Sequence, residues 1–256
     1  MKVVIFAGGR GTRLSEETIL KPKPMVEIGT KPILWHIMKM YSAHGFNEFV
    51  ICLGYKGYMI KEWFANYHLH NSDFTIDMSN NQIVYHRPHQ ENWKVTLVDT
   101  GWESGTAKRL ELVKEYVGKE DFMLTYGDGV SDVDISALVD FHKDHGKVAT
   151  ITAIKPEGRF GALHIGEQNT VKHFAEKVDN EDNRINGGFF VLKPEVFNYL
   201  PKEDVMWERE PLEKLAKAGE LVAYQHDGFW KAMDTLRDKI QLEELWNRNN
   251  PPWKKW

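Results

Sequence analysis

Two hydrophobic rhythms alternate along this chain. Apolar runs of strand length occur at residues 2–7, Glu48 to Leu53, Lys94 to Asp99 and Asp121 to Tyr126. Between them, apolar residues fall three and four apart, as in Ile33, Leu34, Ile37, Met38 and Tyr41, which marks one face of a helix. The spacing predicts helices over 32–44, 57–67, 106–117 and 134–145, the last with Asp132 or Asp134 as N-cap. Further strands are expected at 148–155, 160–165, Val171 to Ala175, Gly187 to Leu192 and 220–225, with helices at 207–218 and 235–247. Strand, helix, strand in succession predicts an α/β fold with a mixed, mainly parallel sheet and helices on both faces. The rhythm loosens after residue 165, which leaves room for a smaller C-terminal portion.

Composition narrows the class. At 256 residues with 42% hydrophobic content, the chain can bury a full core without disulfides or a structural metal. The formal net charge is −4, so no global field recruits nucleic acid. The one cysteine, Cys52, lies inside an apolar run and reads as a buried, inert thiol. No apolar run approaches the roughly 18 residues that span a bilayer. The N-terminus reads as a strand and not as a signal peptide, so a cytoplasmic location with no membrane partner is expected.

The chemistry concentrates near the N-terminus. The first strand empties into Gly8-Gly9-Arg10-Gly11-Thr12-Arg13-Leu14, followed by Lys21-Pro22-Lys23-Pro24-Met25. Glycines bare the backbone N–H groups to a bulky anion. Arg13 can fork phosphate oxygens, and Lys23, stiffened by flanking prolines, can place a point charge on a second phosphate. The blander readings are a tight turn and a solvated loop. Leu14 stands where a dinucleotide fingerprint needs its third glycine, and no Walker A sequence follows. Asp128, in Tyr126-Gly127-Asp128-Gly129, is either part of a hairpin turn or a Mg²⁺ ligand at a strand end. Asp234 is either a helix N-cap or the best candidate for a second Mg²⁺ ligand. The pairs His142/His145, His68/His70 and His86/His89 have no third metal ligand within reach by sequence. Of the nine tryptophans, Trp207, Trp230, Trp246, Trp253 and Trp256 lie toward the C-terminus, suited to covering a sugar ring or sealing a subunit contact.

Gly-Gly-x-Gly-Thr-Arg-Leu followed by a Lys-Pro lysine resembles the signature of the sugar-1-phosphate nucleotidylyltransferases. Lys21 to Gly29 and Pro32 to Met38 resemble its glucose-1-phosphate cytidylyltransferase branch in particular. Further matches run the length of the chain, through Gly158-Arg159-Phe160-Gly161, Ile185-Asn186-Gly187-Gly188 and Met233-Asp234-Thr235-Leu236. The resemblance implies a Rossmann-like single domain over 1–256. Its nucleotide-binding part would cover about 1–135 and its sugar-phosphate and C-terminal part about 136–256. It implies CTP and glucose 1-phosphate as substrates, CDP-glucose and pyrophosphate as products, and Mg²⁺ as cofactor. Nucleotide contacts are expected from Phe6, Ala7, Gly8, Gly9, Arg10, Gly11, Thr12, Arg13, Lys23, Ser104, Thr106, Arg109 and Asp128. Gly161, Glu176, Lys177, Asn186 and Trp230 would hold the sugar phosphate, with Lys177 on its phosphate. Asp128 and Asp234 would bind the metal, and Arg13, Lys23, Asp128 and Asp234 would form the catalytic set. The resemblance further implies a homo-oligomer, a hexamer among the options, and a place in surface-polysaccharide (O-antigen) synthesis. Arg10 and the stretch Trp102 to Lys108 depart from the branch pattern, so another pyrimidine nucleotide or another sugar phosphate is the alternative. A binding module without catalysis and an NAD-dependent oxidoreductase are the other classes. The absence of the third glycine and of an acidic residue after Leu53 weighs against the latter.

Overall fold

The computed structural model describes residues 1–86, 91–156, 162–165, 171–175 and 184–256. Its centre is a seven-stranded sheet: β1 (Val3–Phe6), β2 (Glu48–Leu53), β3 (Lys94–Asp99), β4 (Phe122–Tyr126), β5 (Ala149–Ile154), β6 (Ile185–Leu192) and β7 (Leu221–His226). The spatial order is β7-β5-β6-β4-β1-β2-β3. Within this sheet β6 alone runs against its neighbours, and the other strands share one direction. The reversal matters for the site. The start of β6, not its end, reaches the edge where the parallel strands finish, so Asn186 and Gly187 arrive beside the end of β4.

Alternation within each strand builds two cores. Val3 and Ile5 pack with α1 (Ile33–Ala43) on one face, whereas Val4 and Phe6 face α2 (Thr106–Leu112) on the other. The first face also receives α3 (Ile135–His145) and α5 (Leu236–Asn247), and the second receives α4 (Glu210–Lys217). Asp134 caps α3 by accepting from the Ala137 N–H at 3.0 Å. Trp207 and Trp253 are fully buried in these cores. Trp253 stacks on Phe229, and its indole N–H reaches His36 Nδ1 at 3.4 Å. These two rings serve this chain's own interior, contrary to the expected sugar or subunit contact. Cys52 is buried and its thiol is pushed up to about 12 by burial, as expected of an inert thiol.

The remaining differences are local. The 106–117 helix is interrupted at Val113, the 57–67 helix breaks at Asn66, and the 207–218 helix begins at Glu210. An antiparallel hairpin, Asp73–Asp77 with Gln82–His86, has no counterpart among the predicted elements. A short pairing of Gly129–Ser131 with Trp230–Ala232 was equally unexpected. No described helix is long and apolar enough to cross a membrane.

Candidate active site

The site grows from the carboxyl ends of β1 and β4, which pair in parallel with Phe6 opposite Tyr126. Beyond Phe6 the backbone turns through the glycine loop. Gly11 sits at φ +64°, in the left-handed region that favours glycine. At Gly8 the demand is spatial, since a Cβ would lie 2.1 Å from Arg109 Nη1. Arg109 is buried, and its guanidinium donates to Leu53 O, Thr100 Oγ1, Gly101 O, Gly8 O and Trp102 O at 2.7–3.3 Å. It thereby ties together the loops that leave β1, β2 and β3. That scaffolding role belongs to a residue that also lines the first cavity described below.

Lys23 lies in a single helical turn entered from Pro22 and stiffened by Pro24. Its ammonium is buried and donates to Asp128 Oδ2 at 2.6 Å and Asp234 Oδ1 at 2.8 Å. Burial pulls its pKa down, but the two aspartates outweigh that and leave it raised, so the cation is kept. Arg13 donates to the other oxygen of Asp234 at 2.9 Å. Asp128 follows β4 in a turn, but the strand beyond it pairs with Trp230–Ala232 and not with β4, so no hairpin forms there. That second pairing brings the chain back, and the Met233 N–H donates to Asp128 O at 2.8 Å. Asp234 is not the N-cap of α5. Thr235 takes that place in a capping box with Asp238, which frees the Asp234 carboxylate for Lys23 and Arg13.

Two cavities adjoin here. The first, of about 570 Å³, is lined by Phe6 to Arg13, Lys23, Ser104, Thr106, Arg109 and Asp128, so all the expected nucleotide residues meet in one place. The second, of about 300 Å³, is lined among others by Asn186, Trp230 and Asp234. Trp230 is half-buried, its indole N–H donating to Gly187 O at 2.6 Å. The cavities share Arg13, Tyr126, Asp128 and Glu208. Gly161, Glu176 and Lys177 lie outside the described residues.

Matching residues 2–242, the family model for nucleotidyl transferases covers nearly the whole sequence and both cavities. This chain belongs to the nucleotidyl transferase family. Among curated nucleotidyl transferases, the glucose-1-phosphate cytidylyltransferases of Salmonella typhi and Salmonella typhimurium are each 60% identical, over 100% of both chains. Among solved structures, HddC from Yersinia pseudotuberculosis aligns with TM-score 0.69 at 23% identity, covering 96% of this chain and 99% of its own. UDP-glucose pyrophosphorylase complexed with UDP-glucose aligns with TM-score 0.68 at 17% identity, covering 97% and 99%. These structures share the Rossmann-like fold of this nucleotidyl transferase.

The donor set fits a Mg²⁺ ion. Two carboxylates converge on one point, and a cation, the Lys23 ammonium, already bridges them. No cluster of three or more His, Cys, Asp or Glu side chains that could hold a metal exists among the described residues. Mg²⁺ takes one or two protein carboxylates and completes its shell with phosphate and water, and Asp128 and Asp234 supply that number.

Sequence reasoning missed Tyr126 and Glu208 as site residues. Tyr126 adjoins the Asp128 motif and could have been found from it. Glu208 sits in an irregular segment before α4 and carries no local signal.

Proposed function

We propose that the protein transfers the cytidylyl group of CTP to α-D-glucose 1-phosphate, giving CDP-glucose and pyrophosphate. The observation that carries this reading is the junction itself: two cavities share Arg13 and Asp128, with Lys23 in the first joined to Asp234 in the second. The choice of CTP and glucose is supported by the 60% identical relatives that carry that activity in their names. An oxygen of the sugar phosphate attacks the α-phosphorus in line. A new P–O bond forms, the bond to the β-phosphate oxygen breaks, and pyrophosphate leaves with the electron pair. No protein nucleophile is needed. The chain aligns two anions that repel each other and offsets the charge that grows on the leaving group.

In this reading the glycine-loop backbone cradles the triphosphate, while Arg13 and Lys23 neutralise it. Asn186 and Trp230 shape the acceptor cavity, and Lys177 meets the acceptor phosphate, as the resemblance implies. Asp128 and Asp234 would hold Mg²⁺, which when bound supplies further charge neutralisation on the phosphate oxygens. A second reading, another pyrimidine triphosphate, draws on the mouth of the first cavity. There Arg10 pairs with Glu103 at 3.0 Å and lies over the Trp102 ring, in a stretch that departs from the cytidylyl pattern. Self-association is part of the proposal, supported by apolar side chains left exposed on the 73–86 hairpin: Ile76, Met78, Ile83 and Val84. Pyrophosphate release, measured with each of the four ribonucleoside triphosphates and dTTP against glucose 1-phosphate, tests the function. Preference for CTP supports it, and release with another triphosphate alone overturns the base assignment.

A further inference from the structure

One carboxylate at the cavity junction has no part in the phosphate chemistry. Glu208 lines both cavities. Its Oε1 accepts from the Tyr126 hydroxyl and its Oε2 from the Thr106 hydroxyl at 2.8 Å. Thr106 Oγ1 in turn accepts the Trp207 N–H at 2.7 Å, and the Tyr126 hydroxyl accepts from Asn186 Nδ2 at 3.3 Å. Tyr126 is held as a donor, because burial and then Glu208 raise its pKa far above the ordinary phenol value. Both oxygens are thus anchored from the protein side, on three elements far apart in sequence: the end of β4, the start of α2 and the segment before α4.

A fixed negative charge beside two phosphorylated ligands opposes their binding. Its compensation must be a contact that a neutral side chain makes less well. Charged acceptors bind hydroxyl donors more strongly than neutral ones do. A carboxylate offers about four lone-pair positions, and two are occupied here. The remaining two form a fork suited to a pair of adjacent hydroxyls. Such pairs occur on both proposed ligands, on the ribose of the nucleotide and on the acceptor sugar.

Resting on the nucleotidyl-transfer reading above, we propose that Glu208 is a specificity-determining residue that recognises a vicinal diol at the junction of the cavities, with Tyr126 and Thr106 as its positioning residues. The test is substrate discrimination by Glu208→Gln, which removes the charge and preserves the shape. Values of kcat/KM are compared for CTP against its 2′-deoxy and 3′-deoxy forms, and for glucose 1-phosphate against its 2-deoxy and 3-deoxy forms. The wild type is expected to disfavour at least one deoxy analogue by roughly 10- to 100-fold, the range for a hydrogen bond to a charged group. In Glu208→Gln that ratio drops roughly fivefold or more, the difference between a charged and a neutral acceptor. A drop in the CTP series assigns the ribose, and a drop in the glucose series assigns the acceptor. Tyr126→Phe, which removes one anchor, shifts the same ratio by a smaller factor. It also carries the test should the Gln variant fail to melt cooperatively. A uniform loss for every substrate, or ratios unchanged from wild type, overturns the proposal, because a purely structural carboxylate has no reason to tell a hydroxyl from a hydrogen. If another base is preferred, the same deoxy series are run with that base. If no triphosphate supports transfer, the nucleotidyl-transfer reading alone fails, and the ratios are read as Kd by titration calorimetry.

Discussion

Replacing Lys23 by Met tests the centre of the proposed mechanism. Methionine matches the lysine side chain as far as Cε, lacks the ammonium and carries no charge. In the folded chain the Lys23 ammonium is shared between Asp128 at 2.6 Å and Asp234 at 2.8 Å, and its side chain is only 10% exposed. Three consequences follow, with separable magnitudes. Turnover loses one charge-stabilising group, worth about 10²–10³ in kcat or roughly 3–4 kcal/mol. Stability falls because Asp128 and Asp234 lose the cation between them, and the Arg13 side chain that also pairs with Asp234 is 72% exposed and screened. A fully buried pair would cost about 3–5 kcal/mol to break. Asp128 and Asp234 keep 30% and 16% of their side-chain surface in solvent, so a smaller loss of about 1–2 kcal/mol is expected. The third effect has the opposite sign. In the proposed mechanism Asp128 and Asp234 hold the divalent ion, and the Lys23 ammonium between them competes for the same carboxylates, so removing it removes a competitor. Nucleotide-free Lys23→Met is therefore expected to bind Mn²⁺ at least about tenfold more tightly than wild type, a gain of about 1.4 kcal/mol. Pyrophosphate release under single-turnover conditions reads the first effect, urea unfolding the second, and Mn²⁺ paramagnetic-resonance titration the third. Turnover within threefold of wild type, or Mn²⁺ affinity that falls with activity, would refute the reasoning.

Other expectations are narrower. Gly8→Ala places a methyl 2.1 Å from the Arg109 guanidinium, which five acceptors hold in place. It should therefore cost roughly 1–3 kcal/mol, read as a lowered Tm beside Gly9→Ala, where nothing lies within 4 Å. An unchanged Tm in Gly8→Ala would show that the loop yields freely. Burial pushes His36 down to about 4, and His142 likewise, both below the unfolded value of about 6.5. As pH falls, the unfolded chain therefore takes up protons first. The contribution of each histidine is complete above about pH 6.5 and is lost progressively down to about pH 4, roughly 3 kcal/mol for His36. A folding free energy from urea titration that stays flat across that window would contradict the neutral, buried assignment.

Much of this molecule could be read without coordinates, and the reason is local. Strand and helix periodicities depend on neighbours within a few residues, so six of the seven central strands were expected within a residue or so of their bounds, and the seventh, Ile185–Leu192, within two. The glycine loop and the Lys-Pro segment were equally readable, because a left-handed φ at Gly11 and a proline-stiffened turn at Lys23 are backbone requirements written into residue type. The pairings that make a site are different. Lys23 meets Asp234 across 211 positions, and Tyr126 meets Glu208 across 82. No periodicity carries contacts of that span. They are set by the parallel register of Phe6 on Tyr126, by the reversal of β6, and by the short Gly129–Trp230 ladder that returns the C-terminal segment to Asp128. The choice between Asp234 as a cap and Asp234 as a site carboxylate was local: Thr235 and Asp238, three residues apart, close the capping box one residue later, whereas the partners that Asp234 then meets are set by the tertiary fold. Residue types alone determined which groups were available for phosphate chemistry. Strand order and packing decided which of them converge, because convergence is a property of distances through space and not along the chain.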